Sequence, residues 1–153
     1  MDARELLFVV WSFVVQLLLI VHFALRKWRF DPYIPKVGWL FYLLGLPALA
    51  VSIVLASSGL LWSFWVGGIL QFVFSIYGFI VEYVRRVQWR SPLLWPVAGP
   101  YLTLYLGMIM FYWWPLGLID RRLWIGYTVL FVTSTILNLT SHTPLSPSSS
   151  HPG

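Results

Sequence analysis

Residues 6–25 read LLFVVWSFVVQLLLIVHFAL, and Arg26-Lys27-Trp28-Arg29 follows at once. Twenty predominantly apolar positions at about 1.5 Å each in a helix give about 30 Å, the thickness of a bilayer's hydrocarbon core. The basic cluster then stops the run and marks a membrane surface. No small-residue cleavage motif follows the stretch, and the mixed charge of Met1-Asp2-Ala3-Arg4-Glu5 is unlike the start of a secretory signal. The segment is therefore expected to remain as a transmembrane helix.

Four more runs of this kind follow. Residues 37–56 form the second expected span, with Pro47 as an internal kink. Ser57-Ser58-Gly59 is an uncharged turn, and residues 60–81 form the third span, closed by Glu82, Arg85 and Arg86. The fourth apolar run carries Pro96, Pro100 and Pro115. Prolines are best tolerated at helix ends, so a helix over about 95–116 with irregular flanking turns is expected. Asp120-Arg121-Arg122 separates it from a fifth span at 123–139. The tail, 140–153, is rich in Ser and Pro, carries no Asp, Glu, Lys or Arg, and is expected to be disordered. The expected fold is all-α: one polytopic transmembrane helical bundle of about five spans.

Composition agrees. Charged residues make up 10% of the 153, against about 25% in soluble domains, too few to cover a water-exposed surface. The absence of cysteine excludes disulfides and thiolate chemistry. The formal charge of +5 lies in clusters beside apolar runs, which points to membrane orientation and not to nucleic acid. Arg26, Lys27, Arg29, Lys36, Arg85, Arg86 and Arg90 fall on one face of the membrane, and Arg4, Arg121 and Arg122 on the other. The richer face is expected to be cytoplasmic, with the C-terminus there and the N-terminus outside. Most of the ten tryptophans lie near span ends, as in an interfacial aromatic belt.

No charge lies in the middle of any span, which weighs against a pump or channel built from one chain. The polar residues within spans fall on helical faces. Gly67, Gln71, Ser75, Gly78 and Glu82 form one stripe; Ser12 and Gln16 form a second; Thr128, Thr135, Asn138 and His142 form a third. Such stripes serve either helix packing or a polar-lined cavity between the first, third and fifth helices. The ligand-facing candidates are Gln16, Gln71, Ser75, Tyr77, Tyr101 and Tyr105, with Trp11 nearby in the first helix. His22, Glu82, Arg85, Arg86 and His142 would form an interfacial polar cluster, in which Glu82 and Arg86 have the spacing of a helical ion pair. His22 and His142 are the residues that could serve as axial haem ligands, though the sequence names no cofactor. No catalytic set and no metal-ligand set can be written down.

Three functions stay open at this point. One is an accessory or structural subunit acting through helix contacts with other membrane chains or its own copies. Another is a binder or carrier of a hydrophobic small molecule or lipid. The third is a lipid-modifying enzyme at the cytoplasmic interface. The lipid bilayer is a partner in all three, and nucleic acid in none.

Overall fold

The computed structural model describes residues 1–28, 36–87 and 94–140, and every regular element among them is helical. Five helices are long and apolar enough to cross a membrane: α1 (Ala3–Trp28), α2 (Leu40–Ser57), α3 (Trp62–Val84), α4 (Trp95–Ile119) and α5 (Arg121–Thr140). His142, Arg29, Arg90 and the tail expected to be disordered lie outside the described residues.

Helix α1 starts on a capping box. Asp2 Oδ1 accepts the N–H groups of Arg4 and Glu5 at 2.9 and 2.8 Å, and Glu5 Oε2 accepts the Asp2 N–H at 2.9 Å. The Glu5 N–H and then the Arg4 guanidinium hold the Asp2 carboxyl below its ordinary value of 3.8. Arg4 also donates through Nη1 to the Ser58 carbonyl at 2.8 Å, tying the start of α1 to the α2–α3 turn. In that turn Gly59 takes φ +78°, the left-handed conformation that glycine adopts freely after a helix.

The kink expected at Pro47 is a break. Leu40–Leu43 and Gly45–Ser57 are separate helical pieces joined at Leu44. Pro47 has no N–H for the carbonyl four residues earlier, and the turn tightens there, with Leu44 N–H bonding the Phe41 carbonyl at 3.2 Å.

Helix α4 corrects a sequence expectation. Instead of about twenty residues between irregular turns, it is one continuous helix of 25. Pro96 occupies the first turn, where its missing N–H costs nothing, Pro100 removes a bond only to that same turn, and Pro115 is fully buried and held by packing. The third span also runs past its expected end, through a 3-10 turn at Trp62–Phe64, an α-helix at Val66–Phe79 and a π turn at Ile80–Val84.

The helices pack in chain order, α2 on α3, α3 on α4, α4 on α5, and α5 returns to pack on α1, which also touches α2 and α4. The core is aromatic and aliphatic: Phe8, Leu19, Phe74, Met108, Ile109, Tyr112 and Tyr127 are buried together. Helix α3 packs closely on both neighbours because its glycines have no side chains. A Cβ on Gly68 would collide with Ser52 and meet the Ala48 carbonyl at 2.6 Å, and one on Gly78 would collide with the Tyr42 ring. The stripe Gly67, Gln71, Ser75 and Gly78 is buried within the chain itself, while Phe79 and Ile80 are exposed.

Candidate functional site

Hydrogen bonds cross nearly every seam of the bundle. Trp11 Nε1 of α1 donates to the Tyr112 hydroxyl of α4 at 3.0 Å, and that hydroxyl donates to Gln71 Oε1 of α3 at 2.6 Å. Gln16 Nε2 of α1 donates to Ser134 Oγ and the Leu130 carbonyl of α5 at 2.6 and 3.2 Å. Ser52 donates to the Trp65 carbonyl at 2.8 Å, Tyr77 to the Val97 carbonyl at 3.1 Å, and Trp113 Nε1 to Thr128 Oγ1 at 2.7 Å. In an apolar surrounding each such bond is worth about 0.6–2 kcal/mol.

These bonds show where the six ligand-facing candidates lie. Gln16 and Gln71 are both buried, yet they belong to different bond sets, because α4 stands between α3 and α5. The cavity envisaged between the first, third and fifth helices is therefore filled at that point by Tyr112. Tyr101 and Tyr105 pack on Phe74 with ring centres 5.0 and 5.9 Å apart, and Tyr77 lies in the α3–α4 seam. Ser75 faces α2.

Tyr127, Ser134, Tyr112 and Tyr42 take part in the interior, and the sequence reading named none of them. Tyr105 with Tyr112, and Tyr127 with Ser134, are each seven residues apart and so share a helical face, which is the signal that could have found them. Among the described residues, the buried polar atoms that lack a hydrogen-bond partner include Gln16 Oε1 and the hydroxyls of Tyr105 and Tyr127. The Tyr105 hydroxyl approaches Ser134 without a well-aligned bond.

Of the interfacial cluster, His22, Glu82, Arg85 and Arg86 are among the described residues. His22 is buried, stacked on Phe41 with ring centres 4.3 Å apart, so one face of its imidazole is covered. Glu82 Oε2 accepts the Tyr42 hydroxyl at 2.8 Å. The expected helical pair of Glu82 with Arg86 does not form, because α3 ends at Val84 and Arg86 takes φ +50° outside it. Arg85 and Arg86 are exposed. Among the described residues no three His, Asp or Glu side chains gather as a metal site.

Next to this end, α2 and α3 leave a groove of about 220 Å³ that opens sideways. Tyr42, Leu43 and Leu46 form one wall, and Phe72, Ile76, Phe79 and Ile80 the other. At its floor the helices come close: a Cβ on Gly45 would lie 2.7 Å from that of Ser75. Tyr42 turns its ring to the groove and its hydroxyl to Glu82, so the lining is apolar almost throughout. Such a concavity, apolar with one polar end, suits an alkyl chain or a flat hydrophobic molecule. Comparison with protein-family models, with curated proteins and with solved structures gave no match for this chain.

Proposed function

We propose that the chain is an integral membrane protein that crosses the bilayer five times and binds a lipid or another hydrophobic small molecule in the groove between α2 and α3. The single observation that carries this reading is the groove itself, about 220 Å³ of apolar concavity open on the side that would meet lipid. In the proposed arrangement the end bearing Lys27, Lys36, Arg85 and Arg86 is cytoplasmic, the N-terminus is outside, and the tryptophans near the helix ends form the interfacial belt.

A subunit that docks on another membrane chain is the second reading. It is favoured by α5, which buries only Tyr127 and Ser134 and turns Ile125, Val129, Val132 and Ile136 outward. It ranks lower because membrane helices associate through small residues, and the small residues of α3 already pack inside the chain.

The test is to purify the full chain in a mild detergent and identify the molecules that stay with it by mass spectrometry, beside Ile76→Trp, which fills the groove from an exposed position. Wild type should retain a defined amphiphile that Ile76→Trp loses while its thermal unfolding is unchanged. Equal retention by both proteins would reject the groove.

A further inference from the structure

The apolar walls of the groove end where the positive charge begins. Ile80, the last lining residue on α3, accepts the Arg85 N–H at 2.7 Å, so Arg85 follows one wide turn beyond the groove. The Val87 N–H returns to the Val81 carbonyl at 3.0 Å, and Arg86 lies between them at φ +50°. That position closes a helix and favours glycine, yet an arginine occupies it. Across the groove, Lys36 precedes the first turn of α2, where its carbonyl accepts the Trp39 indole N–H at 3.1 Å. Lys36, Arg85 and Arg86 are all exposed at this one end of the α2–α3 pair. The carboxylate beside them, Glu82, accepts a hydrogen bond from Tyr42.

We infer that the groove and these cations together form a site for a phospholipid with an anionic head group, an inference that rests on the groove reading above. An acyl chain lies between α2 and α3, and the head-group phosphate meets Lys36, Arg85 and Arg86. The dimensions fit one leaflet: from Phe72 to Ile80 the groove follows α3 for about 12 Å, less than half of a core of about 30 Å. The chemistry selects the head group, because a net negative head is attracted by three cations whereas a zwitterionic one brings its own ammonium among them. Basic pockets between membrane helices bind anionic lipids on this principle.

The experiment reconstitutes the full chain in phosphatidylcholine vesicles carrying a trace of spin-labelled phosphatidylglycerol or spin-labelled phosphatidylcholine, and reads the motionally restricted fraction. Wild type should prefer phosphatidylglycerol by about tenfold or more, and replacing Lys36, Arg85 and Arg86 together with Gln should bring the two lipids near parity. Arg86→Gly is the sharper variant. It relaxes the left-handed backbone, so thermal stability should hold or rise, while the preference should fall about fivefold with the loss of one cation. Equal restriction of both lipids by wild type, or an undiminished preference in the triple variant, would overturn the head-group assignment while leaving the groove intact. If Ile76→Trp left the restricted fraction of both lipids unchanged, the groove itself would be refuted, and a surviving preference would belong to the basic surface at large.

Discussion

At the scale of single residues, the interior holds two tyrosines with opposite roles. Tyr112 both accepts and donates, linking Trp11 to Gln71, whereas the equally buried hydroxyl of Tyr127 bonds to nothing. Removing a bonded hydroxyl strands its partners, and removing an unpartnered one relieves a desolvated group. Tyr112→Phe should therefore destabilise the protein by about 1–2 kcal/mol, and Tyr127→Phe should be neutral or stabilising. Thermal unfolding of the two variants in one detergent checks the pair, and equal losses would contradict this account. Of these two only the burial could be expected from sequence. The spacing of Tyr105 and Tyr112 places them on one face, but which neighbour each hydroxyl meets depends on the arrangement of helices around it.

At the scale of elements, the glycines of α3 and α4 make a direct comparison. Gly68 faces the Ala48 carbonyl, backbone that cannot rotate aside, while Gly99 has open space where a Cβ would stand. Gly68→Ala should push α2 away and cost about 1–3 kcal/mol, as overpacking does. Gly99→Ala should instead stabilise α4 by about 0.5–1 kcal/mol, the helical advantage of alanine over glycine. Thermal unfolding reads both, and a tolerated Gly68→Ala would show that α2 is less closely seated than described. The stripe on α3 was legible because glycine and serine at spacings of three and four mark a packing face. The stripe on α5 was legible only in part. Thr128 accepts the Trp113 indole N–H across the α4–α5 seam, while Thr135 bonds the Phe131 carbonyl of its own helix, four residues back, and so is satisfied without a neighbour. The buried positions are Tyr127 and Ser134.

For the whole molecule, length and hydropathy were enough to find five helices, since each apolar run ends in charge or a turn. The order of helices around the bundle was not in the sequence, and that order explains why Gln16 and Gln71 do not share a cavity. In the proposed arrangement, five crossings put the termini on opposite sides. Reporter fusions after Met1 and after Gly153 should report opposite compartments, the second cytoplasmic, and same-side signals would mean an even number of crossings. The return of α5 to α1 has a consequence in time. Gln16 and Ser134 are 118 positions apart. At roughly 5–20 residues per second, the ribosome needs roughly 6–24 s to deliver the serine after the glutamine. For that interval the first-made helix carries an amide whose partner is still untranslated, so in the proposed membrane arrangement a nascent chain stopped after α4 exposes Gln16 to lipid or to whatever insertion factor escorts it.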